Sequence, residues 1–237
     1  MTDQTIDTKK HFATARRELI DKPIKDFGFK PYKTSVLGRL TADNVFQFID
    51  FHKYRFGGQF TVEIAIRPLY CPHDDHLTLL PGNRLYSMAT NGKSDKWWMY
   101  SNEQEANESF AEVYKLITDF ALPFFDATLT SKQIIKSYER NILGASKFGK
   151  RISWGTIGWE DFDFGHIYLR DGDNKKALKH FNKCFKEFNT DSRDWAQTTA
   201  KKCIDIISTI KSGQQNIEQY LTATVTDSKQ KLKLDQW

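Results

Sequence analysis

The sequence predicts an α+β fold: an antiparallel sheet with flanking helices, followed by a C-terminal helical segment. Three observations carry that expectation. Phe60, Val62, Ile64 and Ile66 alternate with polar or small residues after Gly57-Gly58, the two-residue period of a strand in a β-hairpin. On either side of this region, apolar residues recur three and four apart, the period of a helix face. After residue 158, small and aromatic residues stand at the spacing of two closely packed helices.

The first helix is expected from about Thr8 to Phe27. Phe12, Ala15, Leu19, Ile20, Ile24 and Phe27 form its stripe, Pro23 interrupts it and Gly28 ends it. Val36 to Leu40 reads as a strand, and Thr41 to Asn44 as a turn. The hairpin follows, with Val45 to Tyr54 as one arm and Gln59 to Arg67 as the other. Arg84 to Met88 and Lys96 to Tyr100 are candidate strands. Ser101 with Glu103, Glu105 and Glu108 marks a helix start, Pro123 a break, and Ser131 a further helix to about Asn141. These readings divide the chain into an α+β domain over 1–143, a glycine-containing linker over 144–158, a helical appendage over 159–226 and a polar tail over 227–237.

Composition bounds the function. With 18 Phe and 6 Trp among 237 residues, the chain can build a core. No apolar run reaches the ~20 residues of a membrane span, and the first ten residues lack a signal sequence's apolar stretch. Three widely spaced cysteines, Cys71, Cys184 and Cys203, suggest reduced thiols, so a cytoplasmic location is expected. The net charge is +5, but Lys and Arg are scattered, which disfavours nucleic acid as a partner.

Gly165, Tyr168, Ala177, Phe181 and Cys184 resemble one tetratricopeptide repeat of about 34 residues, with Asp171 to Asn174 as its turn. Asp161 stands at the motif's early Trp position and Asn189 at its late Pro, and no second copy is evident at that period. A helix over about Ser192 to Ser212 would bury Trp195, Thr199, Cys203, Ile206, Ile207 and Ile210 against the pair.

The N-terminal part resembles the uncharacterised bacterial domain-of-unknown-function family numbered 4304. The resemblance rests on Phe27-Gly28-Phe29-Lys30, Val45-Phe46-Gln47-Phe48, Phe60-Thr61-Val62, Trp97-Trp98 and the Phe120 to Phe125 stretch, over roughly Lys9 to Tyr138. It implies an α+β fold with an antiparallel sheet and supplies no catalytic residues. The genome context of that family implies an immunity or accessory protein in bacterial competition, although the +5 charge argues against inhibition of a basic nuclease.

The candidate binding residues are aromatic, with one arginine: Tyr54, Arg84, Tyr86, Trp97, Trp98 and Tyr100. Trp97 and Trp98 must point to opposite sheet faces if extended. The function expected is therefore non-catalytic binding of another protein, with no cofactor and no metal. The alternative is a small metal-dependent hydrolase built on Cys71-Pro72-His73-Asp74-Asp75-His76, whose spacing fits no recognised zinc pattern. His11, His52, His166 and His180 look isolated, the two on the repeat being surface or interface residues. Glu63 and Arg67 read as the solvent side of their strand, and Gly57-Gly58 lacks the Lys-Ser/Thr ending of a phosphate loop.

Overall fold

The computed structural model describes residues 3–73, 81–142, 152–153 and 158–237. Helix α1 (Asp3–Arg16) buries Phe12 and Ala15, then widens into a π-helical turn over Arg17–Asp21 that buries Ile20. Pro23 opens a 3-10 turn, Pro23–Phe27, in its first residues, where its missing N–H leaves no bond unmade. The interruption expected at Pro23 is thus a change of helix type, and Gly28 closes it with a left-handed φ of 81°.

Among the described residues, six antiparallel strands follow: β1 (Lys30–Lys33), β2 (Val36–Leu40), β3 (Val45–Lys53), β4 (Gln59–Pro68), β5 (Gly82–Arg84) and β6 (Trp98–Met99). The order is β1-β2-β3-β4-β5, with β6 also on β4. The expected hairpin is β3–β4, paired from Val45 opposite Pro68 to Lys53 opposite Phe60. Strand β1 was not foreseen. The strand expected over Arg84 to Met88 ends at Arg84, because Leu85 and Met88, three apart, are buried on the short helix α2 (Leu85–Ala89).

Cross-strand pairing sorts the residues into two faces. Leu37, Val45, Ile49, Phe51, Phe60, Val62, Ile64 and Ile66 belong to the main core, shared with α1 and with α3 (Glu103–Leu116). Asn102, rather than Ser101, caps α3: its side chain accepts from the Glu105 N–H at 2.9 Å, while the Glu105 carboxylate accepts from the Ser101 N–H. Pro123 does not break the helical path, which runs through a π turn (Ile117–Ala121) into α4 (Leu122–Asp126) with the proline in the first turn. Helix α5 (Ser131–Ile142) completes the layer.

The C-terminal helices are α6 (Trp159–Asp171), α7 (Asn174–Phe188), α8 (Asp194–Lys211) and α9 (Gln214–Leu232). Every residue of α6 from Asp161 to Leu169 is buried, so this helix lies inside the molecule. Its antiparallel contact with α7 is close because Gly165 has no side chain; a Cβ there would stand 2.6 Å from the Phe181 ring. Where the repeat motif has Trp, Asp161 instead joins the two helices, accepting from His180 Nδ1 at 2.9 Å and Lys183 Nζ at 2.7 Å. Helix α8 packs on α7 with Cys203 Sγ 3.3 Å from Cys184 Sγ. Helix α9 buries Ile217, Leu221, Thr224 and Ser228 at the spacing at which α7 buries Ala177, Phe181, Cys184 and Phe188.

The stretch read as a polar tail carries α9 to Leu232 and then turns onto the sheet. Leu232 and Leu234, with Trp237, cover Val36, Phe46, Phe48, Ala65 and Leu69 on the second face. Tyr32 donates its hydroxyl to the Leu232 carbonyl at 2.7 Å, and the Trp237 ring lies 5.6 Å from Phe46 under the Lys30 ammonium. The main hydrophobic cluster runs without a break from Phe12 to Leu221. Of the expected linker, only Ile152, Ser153 and Gly158 are among the described residues; Ile152 is buried, and Ser153 exchanges two 2.9 Å backbone bonds with Gly82. No described helix is long and apolar enough to cross a membrane.

Candidate interaction face

The second face of the sheet is only partly covered. Beyond the Leu232–Trp237 segment it carries a cross-strand row in which Asp50 of β3 lies opposite Glu63 of β4, and Glu63 opposite Arg84 of β5. His52 Nε2 reaches both carboxylates, 3.3 Å from Asp50 and 3.2 Å from Glu63. Arg84 Nε lies 3.5 Å from Glu63, and its Nη1 pairs with Asp95. The hydrogen bond that His52 donates to Glu63 raises the His52 pKa above its ordinary value, against partial burial. The same bond holds the Glu63 carboxyl below its usual range.

Aromatic side chains rim this row. Trp97 is 38 % exposed, its ring 5.7 Å from Tyr54 and 5.8 Å from the Arg84 guanidinium. Phe56, 74 % exposed, lies 5.3 Å from Tyr54, and Met99 is exposed beside them on the face it shares with Gln59.

The structure therefore brings Tyr54, Arg84 and Trp97 together, and places Trp98 and Tyr100 inside and Tyr86 half-buried. Trp98 pairs with Phe60 on the core face and is 1 % exposed. Tyr100 is buried with its ring 5.1 Å from Phe12, and Tyr86 packs half-buried on Trp98. Sequence reading missed His52, Asp50, Phe56 and Met99. The alternation of Asp50 and His52 along β3 was the available signal, but its partners come from β4 and β5. Arg67 was expected on the solvent side and is fully buried, donating to the His73 carbonyl at 3.1 Å.

Residues 20–127 match the family model described as "Domain of unknown function (DUF4304)". The matched stretch holds the six described strands and the Asp50–His52–Glu63–Arg84 row, and stops before the C-terminal helices. No curated protein and no solved structure matches the chain.

The Cys71–His76 loop has a different character. Cys71 is fully buried and its thiol points to the Asp163 carbonyl at 3.7 Å; burial pushes its pKa well above the ordinary value, which disfavours the thiolate. His73 Nε2 lies 2.6 Å from Asp163 Oδ1, fastening the loop to α6. Asp74, Asp75 and His76 lie outside the described residues. Among the described residues, no group of three or more His, Cys, Asp or Glu side chains is placed to hold a metal. His166, next to this cluster, is an interface residue: Nδ1 donates to the Phe162 carbonyl at 2.8 Å and Nε2 accepts from Tyr220 of α9 at 2.8 Å. Burial pulls its pKa down to about 4.

Proposed function

We propose that this chain is a non-catalytic protein-binding protein whose partner docks on the sheet face around Trp97. The observation that carries the reading is the exposed cluster of Trp97, Tyr54, Phe56 and Met99 beside the Asp50–His52–Glu63–Arg84 row. Large rings with a neighbouring arginine are the side chains that dominate protein interfaces, since they desolvate much apolar area with few rotatable bonds. With Asp95, three carboxylates face one arginine and one histidine. The partner surface is therefore apolar at its centre, with lysine or arginine at its rim. Within this reading, the resemblance to family 4304 points to an accessory or immunity role, in which the partner is a protein of the same bacterial competition system.

The test is co-purification with the full chain as bait. One stable partner should be retained, and Trp97→Ala should weaken its binding by about 30-fold, the effect of losing a hot-spot ring. Trp97→Ala should leave thermal stability nearly unchanged, whereas Trp98→Ala should cost about 3–5 kcal/mol of folding free energy. A partner retained equally by the native chain and by Trp97→Ala would overturn the reading.

A further inference from the structure

We infer that the cleft between α1 and the β1–β2 hairpin binds a small phosphate-bearing anion. The cleft has a volume of about 480 Å³ and is lined by Phe12, Arg16, Asp21, Tyr32, Lys33, Thr34 and Lys53 among others. A second hollow of about 320 Å³ shares Arg16, Thr34 and Lys53 with it and extends along Ser35 and Phe51 to His52. Volumes of about 300–1,000 Å³ are those of small-molecule sites.

The charges in this cleft are unbalanced. Among the described residues lining it, Asp21 is the one carboxylate, and Arg16 Nε already engages that carboxylate at 3.1 Å. The guanidinium is fixed further by Nη1, which donates to the Thr34 carbonyl at 2.7 Å, and by the Phe51 ring beneath it at 4.6 Å. Lys33 and Lys53 form no ion pair among the described residues. Their ammonium groups lie instead over rings, 5.2 Å from the Tyr32 centroid and 3.8 Å from Phe12. Partial burial, then repulsion from Arg16 and Lys9, lowers the Lys53 pKa. Two ammonium groups without an ion pair among the described residues, beside a guanidinium held in place, make a site that an added anion completes.

Phosphate chemistry fits these groups because its several charged oxygens can bridge two ammonium groups while accepting from hydroxyls. Thr34 and Ser35 bring hydroxyl-bearing side chains to the lining. A cleft of about 480 Å³ fits a small ligand better than a nucleic-acid backbone.

Calorimetric titration of the full chain with sodium pyrophosphate at low ionic strength tests the site. We expect one-to-one binding with Kd of about 1 mM or tighter, weakening as salt rises. Lys33→Met with Lys53→Met should weaken it at least about tenfold. Lys175→Met with Lys179→Met, which removes the same charge from the exposed side of α7, should leave it unchanged. Should Lys53→Met disturb folding, Lys33→Met alone must still weaken binding. Absence of pyrophosphate binding, equal weakening by the α7 pair, or no effect of Lys33→Met would each overturn the assignment. Tighter binding to a single-stranded oligonucleotide, or to phosphatidylserine vesicles, than to pyrophosphate would overturn it too.

Discussion

At the scale of single residues, His166 links protonation to stability. An unfolded histidine titrates near about pH 6.5, whereas the buried His166 stays neutral down to about pH 4. Between those values the unfolded chain binds the extra proton and the folded one does not. The stabilisation is therefore complete above about pH 6.5 and is lost as pH falls toward 4, by about 3 kcal/mol in total. Urea unfolding of the native chain and His166→Gln at about pH 7.5 and about pH 4.5 measures it; the native chain should lose more stability on acidification than the variant. Side-chain placement was partly legible in the sequence at this scale. The opposition of Trp97 and Trp98 follows from the pleat alone. Which ring faces inward depends on the register of β6 against β4, with Trp98 opposite Phe60, and neither residue's neighbours in sequence encode that. Arg67 shows the same gap: strand alternation puts it on the second face, but its burial depends on distant segments.

At the scale of elements, periodicity was reliable where one face is buried by near neighbours, as in β3–β4 and α3. It failed at changes of conformation. The sequence after Arg84 has strand-like residues, yet Leu85 and Met88 meet the core only from a helical turn. Pro123 reads as a break and sits instead in a first turn, where a proline is tolerated, whereas Pro23 marks the expected interruption by opening a new helical turn. The α6–α7 contact was legible because it depends on a small residue facing a ring. Gly165→Ala should raise helix propensity by about 1 kcal/mol but drive a methyl into the Phe181 ring, itself wedged between Phe162 and His166. Overpacking should prevail, with a net loss of about 1–2 kcal/mol seen as a lower denaturation midpoint. The appendage read as helical to 226 takes in most of α9, but no separate helix was delimited there, because its buried positions include Thr224 and Ser228, polar residues that weaken the apolar stripe.

At the scale of the whole molecule, the sheet is covered on one side by helices near it in sequence and on the other by the segment after α9. Deleting residues 233–237 should uncover Phe46 and Phe48, and light scattering should then report self-association that the native chain lacks. The Cys71–His73 stretch, which composition marked out for chemistry, ties the sheet to α6 through Asp163. The late origin of the covering segment also sets an order of events during synthesis. Strands β2 to β4 leave the ribosome long before Leu232 does, and at about 5–20 residues per second their second face stays bare for roughly ten to thirty seconds. During that interval Val36, Phe46, Phe48 and Ala65 lack the cover that Leu232, Leu234 and Trp237 give them in the folded chain.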